Sequence, residues 1–298
     1  MNRSEKGMAV VLVLMIVALM TAMVVEFASA TYTASVALSN WRYGQRLSPA
    51  ARSGVTLLAK VLSDNYRVYS YTYPGVMESP VVDILKNFEG QVVVRIEDEN
   101  AKFNLNSLIL PNGTLDAKAY ASFKRLLKNL ALDEQIADRI ADWTDPDREP
   151  RLSGSEDGAK NAYLDSLDEL YLIIDPESCK KLLPLVTVYG MGQVYAGTIN
   201  INSASTAVLM ALDDDLTQEL AERIESFRSL EPFKKTSDIV KVAGFEGALG
   251  QSLMGRIAVK ASNFRIISTA SENRVQRIID CVVEASGSGI AIRHWQET

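Results

Sequence analysis

Residues 142–157 carry the densest chemistry in the chain: Asp142, Asp145, Asp147, Glu149, Glu156 and Asp157 put six acids within sixteen residues. Pro146, Pro150, Gly154 and Gly158 interrupt the stretch, so it reads as a bendable loop. A hard cation such as Ca²⁺ takes six to eight oxygens from carboxylates and carbonyls on a segment of this kind. The spacing is not that of an EF-hand, whose regular D-x-D-x-D-G run and twelfth-position Glu are missing. Zinc is disfavoured because no His or Cys lies nearby. Composition alone leaves both a cation site and a solvated acidic loop open, the latter being the commoner outcome. Asp145 and Asp147 could in principle serve as a general acid and base, yet no G-x-S-x-G motif or phosphate loop accompanies them. The Gly-Met-Gly at 190–192 lacks the third glycine of a dinucleotide fingerprint, and the single histidine, His294, leaves no hydrolase triad to build.

The wider composition narrows the class. A net charge of −6 without a concentrated basic patch makes a poor nucleic-acid binder. At 298 residues the chain is long enough for a sizeable core and two subdomains. Cys179 and Cys281 lie far apart; one long-range disulfide and two buried free thiols are both open.

The acidic loop sits between the two copies of a weak internal repeat. Residues 103–107, FNLNS, are matched by 199–203, ININS, each as an N-x-N turn feeding a helix pair. Apolar spacing predicts helices over 116–129 and 133–143, and again after the second turn. The second unit continues through Pro232-Phe233, Asp238-Ile239 and Gly244, an order that resembles helix-hairpin-helix modules. Its hairpin position reads Asp213-Asp214-Asp215-Leu216, and acids there oppose phosphate, so the module is expected to be structural. Alternation predicts strands over 91–98 (QVVVRIED), 257–262, 264–270, 275–285 and 290–295, with a hairpin turn at 271–273. The tyrosine-rich stretch 66–80 reads as a short strand or turn.

At the front, a polar leader ends at Gly7, and residues 8–25 are uncharged and almost wholly apolar, about long enough to span a bilayer as a helix. The helical pattern runs on beyond residue 25 with polar residues interleaved; Pro49 and Gly54 are expected to kink or weaken it.

A basic leader, Gly7, and a Met8 that opens a long apolar helix together resemble the class III signal of type IV pilins and type II secretion pseudopilins. The resemblance implies cleavage after Gly7 by a prepilin peptidase and methylation of Met8. Position five of the processed chain is Leu12, where most such subunits carry Glu. That absence, the N-L-N and N-I-N-S-A turns, and the D-W-x-D-x-D segment followed by E-D resemble the K-type minor pseudopilins, the general secretion pathway protein K family. The implied fold is α+β: a long N-terminal transmembrane and amphipathic helix on an antiparallel, pilin-like sheet, with a large inserted α-helical domain. The implied division is leader 1–7, transmembrane helix 8–25, pilin-like domain 26–103, inserted domain 104–255 and C-terminal strands 256–298. The implied role is non-enzymatic: a tip subunit that starts a pseudopilus for protein export. The globular part would be periplasmic, below a single inner-membrane span. Partners would be the I- and J-type minor pseudopilins and the major pseudopilin, with no nucleic acid; a minor pilin or a DNA-handling anchored protein is the alternative. The same resemblance implies structural Ca²⁺ held by Asp147, Glu156 and Asp157, with Asp142 and Asp145 beside them.

Overall fold

A computed structural model describes residues 3–72, 76–80, 88, 90–190 and 197–298. Tyr73, Pro74 and Gly75 of the tyrosine-rich stretch, and the Met-Gly at 191–192, lie outside the described residues. Helix α1 (Arg3–Val68) leads to strands β1 (Val76–Pro80) and β2 (Gln91–Asp98). A helical block follows, with β3 (Phe103–Asn104), α2 (Ala117–Asn129), α3 (Ile136–Thr144), α4 (Leu170–Ile173), α5 (Pro176–Leu182) and β4 (Val186–Thr187). Its second half holds β5 (Ile199–Asn200), α6 (Thr206–Met210), α7 (Gln218–Leu230), α8 (Ala248–Met254) and β6 (Ile257–Ala258). The chain returns through β7 (Asn263–Glu272), β8 (Val275–Ser286) and β9 (Gly289–Glu297).

The 66 residues of α1 make a rod about 100 Å long. Its most apolar window has a mean hydropathy of 3.0 and none of it is buried by the rest of the chain. The second half turns amphipathic. Leu47, Ala50, Ala51, Val55 and Leu58 recur at three- and four-residue spacing and are buried on the sheet. The sheet order is β1-β2-β7-β8-β9, antiparallel throughout. Val92, Val94 and Ile96 alternate inward along β2, and Ile266, Ile279, Cys281 and Val283 meet them from β7 and β8.

Pro49 and Gly54 do not break this helix. Pro49 lies inside α1, which runs on for nineteen residues to Val68; the packed face from Leu47 to Leu58 spans it and outweighs one missing N–H bond. Gly54 is there for proximity. A Cβ at this position would lie 2.6 Å from Ser268 Oγ and 2.9 Å from Val94 Cγ2, so glycine lets the helix lie close on the sheet. The β7–β8 turn is also shifted from 271–273: Glu272 still pairs with Val275, and Asn273, at φ 55, takes the left-handed position. The strand expected over 257–262 shortens to Ile257–Ala258, and the last strand extends to Glu297.

The helical block has its own core, built on Leu105, Phe123, Leu126, Ile140, Leu170, Leu182, Leu209, Ile224, Phe233 and Phe245. The internal repeat is real at the level of hydrogen bonds. In each copy a two-residue parallel strand pair, β3–β4 or β5–β6, leads into the N-x-N turn. Asn104 Oδ1 accepts from the N–H of Asn106, and Asn200 Oδ1 from that of Asn202. Asn106 then exchanges bonds with Leu164 (O 2.9 Å, N–H 2.8 Å) and donates to Val188 O. Asn202 does the same with Phe233 (O 2.9 Å, N–H 2.8 Å) and Val259 O. Each second Asn is thus a buried amide that ties three strands of backbone together. Cys179 sits within α5, capped by Asp175, and belongs to this block's core; Cys281 belongs to the sheet's core, and both are buried free thiols.

Candidate metal centre

Helix α3 delivers the acidic loop. Ile136, Ala137, Ile140 and Ala141 pack into the helical core, which turns the end of the helix and Asp142 inward. Asp145 is the C-cap residue, its N–H bonded to Ala141 O. The side chains of Asp142 and Asp145 are both fully buried. Two carboxylates at a helix C-terminus oppose the macrodipole, so they need positive charge from elsewhere. At its far end the loop is anchored by the Leu164–Asn106 exchange, and by a capping box in which Ser166 and Glu169 satisfy each other's backbone. Glu169 also accepts from Trp143 Nε1 at 3.1 Å and pairs with Lys160.

Among the described residues, one protein cation reaches the two buried acids. Arg151 Nη1 lies 2.5 Å from Asp142 Oδ1 and also bonds Asp145 Oδ2. The Arg151 backbone N–H donates to Asp142 Oδ2 at 2.9 Å, and the Ser155 hydroxyl donates to the same oxygen. Burial works against the Arg151 charge, but its bonds to Asp142 and Asp145 outweigh it and hold the pKa above the ordinary value.

Asp145, Asp147 and Glu156 come together: one carboxylate oxygen from each lies within 4.8 Å of the others. Asp145 Oδ1 and both oxygens of Glu156 are buried with no hydrogen-bond partner. Burial pushes the Asp145 carboxyl up, Arg151 pulls it back, and the charges of Asp147 and Asp142 push it up again. Glu156 is raised by burial first, then by the charges of Asp145, Asp142 and Asp147. Buried acceptors without donors, crowded by like charge, are what a bound hard cation relieves. The donor set, all oxygen, fits Ca²⁺.

Two of the five expected ligands stand apart. Asp142 is committed to Arg151 and Ser155, and Asp157 is exposed, its N–H bonded to the Gly154 carbonyl, outside the group of three. Sequence does not single out Arg151 and Ser155: the acidic run holds two arginines, Arg148 and Arg151, and two serines, Ser153 and Ser155, and spacing does not say which of each turns inward. Asn161, at φ 51, folds the loop back by donating to the Asp147 carbonyl. At the other end of the chain, Gly7 and Met8 lie on exposed turns of α1, with nothing within 4 Å of a Cβ on Gly7.

An exposed helix long and apolar enough to cross a membrane, continuous with an amphipathic half laid on an antiparallel sheet, is consistent with a membrane-anchored protein of pilin-like build. Residues 101–191 and 199–260, between them just over half the chain, match two family models, both described as type II secretion system protein K. The chain belongs to the type II secretion system protein K family. It is 26% identical to the type II secretion system protein K of Pseudomonas aeruginosa over 314 aligned residues, covering 97% of this chain and 91% of that one. Against the protein of the same name from Pectobacterium carotovorum it is 27% identical over 232 residues, 68% of each. Its fold matches a chain in the crystal structure of the GspK-GspI-GspJ complex from enterotoxigenic Escherichia coli, with a TM-score of 0.62 and 20% identity over 90% of this chain and 99% of that one.

Proposed function

We propose that this chain is the minor pseudopilin at the tip of a type II secretion pseudopilus, and that it starts the filament. Leu12 carries the reading. It lies in the exposed apolar half of α1, where a docking carboxylate would be needed to join a subunit already in place. A helical filament grows by repeating one head-to-tail contact. A subunit that adds a helical block with its own core to the pilin-like unit fits best where nothing stacks on it. The other minor pseudopilins, of the I and J types, would be its neighbours, and the major pseudopilin would follow below. A prepilin peptidase would remove the leader at Gly7, and the inner membrane would hold the first part of α1, the globular part being periplasmic, until the helix is drawn into the filament. The N-x-N units serve as structure, and in the second of them Asp213 and Asp214 are engaged by Ser252 and Arg125.

The acidic loop would hold structural Ca²⁺ through Asp145, Asp147 and Glu156, pinning the long excursion between α3 and α4. The ion would supply charge and coordination only. Mass spectrometry of the mature N-terminus tests the class: a chain beginning at N-methylated Met8 is expected, and an intact Met1 sinks it. Leu12→Glu tests the tip role. It should disturb initiation while leaving the periplasmic fold intact, and unaltered pseudopilus initiation would refute the first-subunit reading. For the loop, CaCl₂ should raise the thermal midpoint of the chelator-treated chain; no change at millimolar calcium removes the ion.

A further inference from the structure

Asp145 is a divided residue. Its Oδ2 is bonded to Arg151, its Oδ1 is buried without a partner, and it contributes an oxygen to the group with Asp147 and Glu156. Asp142 is different: Arg151 Nη1, the Arg151 backbone N–H and the Ser155 hydroxyl already fill it. The guanidinium is therefore not a surface arginine that happens to lie near acids. It is three-quarters buried and bridges two fully buried carboxylates.

We propose that Arg151 is a resident counter-cation of the divalent-ion site, and that it holds the affinity of that site down by keeping one side of Asp145. This rests on the reading that the cluster takes a hard divalent cation. The physical argument is one of charge. Asp142, Asp145, Asp147 and Glu156 offer four negative charges, and Arg151 cancels one of them before any ion arrives. An entering cation meets a carboxylate that is already shared and a like charge on its far side. Oxygen-ligand sites tune their affinity by the charge of the ligand set, so this moves the site toward weaker binding. In exchange the loop has an internal tie: Arg151 and Ser155 close it onto α3 through Asp142 whether or not an ion is present.

A purely structural role for Arg151 makes the opposite prediction. If the residue only shaped the loop, its loss would scatter the ligands and weaken ion binding. The sign of the affinity change separates the two. The test uses the full-length chain in detergent, stripped with chelator and titrated with CaCl₂ by calorimetry and by thermal midpoint, with folding checked by far-UV circular dichroism. Arg151→Gln removes the charge but retains an amide donor for Asp142. It should lower the calcium-free midpoint and tighten calcium binding about tenfold, through the ligand-charge effect. Arg151→Lys keeps the charge and should leave affinity within about threefold of wild type. Unchanged or weaker binding by Arg151→Gln overturns the inference while wild-type binding leaves the cation reading standing. So does equal tightening by Arg151→Lys, because charge would then not be the cause. A wild-type chain that binds no calcium at millimolar concentration overturns both.

Discussion

Replacing the buried carboxylate of Asp98 is expected to stabilise the protein. It ends β2, where the chain leaves the sheet for the helical block, and is only 4% exposed. Asn200 Nδ2 donates to its Oδ2 at 2.7 Å, while its Oδ1 is buried without a partner. Burial pushes the carboxyl up to about 6 from 3.8, against the pull of bonds from Asn200, Ser203 and the Asn100 backbone; the neighbouring Glu99 charge adds to the rise. Because the folded pKa lies above the unfolded value, the native state binds the proton more tightly. Stability from this group is therefore full below pH 3.8, falls as pH rises, and is lost above about 6. The gap corresponds to about 3 kcal/mol, the cost of keeping Asp98 ionised in the folded protein at neutral pH. Asp98→Asn removes the charge and can still accept from Asn200. Its new amide N–H would take the unpartnered place of Oδ1 and cost about 1 kcal/mol, leaving a net gain of about 2 kcal/mol at pH 7.5. The assay is denaturant unfolding of wild type and Asp98→Asn side by side between pH 4 and 7.5. Every other ionisable group is common to the two chains and cancels in the difference. The advantage of the variant should shrink as pH falls through 6 and be gone by about pH 4. A difference that does not change with pH, or a variant less stable at pH 7.5, refutes the argument.

Three further outcomes follow from the packing. Gly54→Ala should cost about 1–3 kcal/mol by thermal unfolding, because the new Cβ meets Ser268 Oγ; Gly54→Ala with Ser268→Ala should recover part of that loss. Asn106→Ala strands the Leu164 amide and two carbonyls, and Asn202→Ala does the same around Phe233; each should cost about 2–4 kcal/mol and speed amide exchange at Leu164 or Phe233 respectively. Cys179 and Cys281 sit in separate cores, so both should resist alkylation in the native chain and both should react after denaturation without reductant. A bridged pair would leave neither reactive.

What could be read from residues alone followed the strength of the local pattern. QVVVRIED is a strand by alternation, and the structure puts it inside the sheet, second from one edge, with every other side chain buried. The same alternation, carried to its end, turns Asp98 to the inward side with Val92, Val94 and Ile96; what it does not show is the partner waiting there, Asn200, 102 positions further on. Gly54 and Pro49 do not end α1, for one reason. Propensity weighs a residue against an isolated helix, whereas α1 is held by a face packed on a sheet, and there the lack of a Cβ is an advantage. The acidic loop divides in the same way. Its oxygen-only chemistry and its bends lie in sequence order, and the structure gathers Asp145, Asp147 and Glu156 within it.

Which acids are left for an ion depends on which one the protein neutralises itself, and this is decided in space. Asp142 and Asp145 are three residues apart on the same helix end and equally buried, so they look alike as candidates. They part company because the backbone at Arg151 comes back over Asp142 and not over Asp145. Once that N–H and the Ser155 hydroxyl have taken Asp142 Oδ2, the guanidinium lies between the two carboxylates and can saturate only one of them. Asp145 keeps an unpartnered oxygen for that reason, and Glu156, one residue after Ser155, is carried in beside it by the same fold of the loop. The tie that removes Asp142 from the ligand set is thus also what assembles the remaining three. Asp142→Ala should therefore weaken cation binding by releasing Ser155 and Glu156, even though Asp142 is outside the cluster.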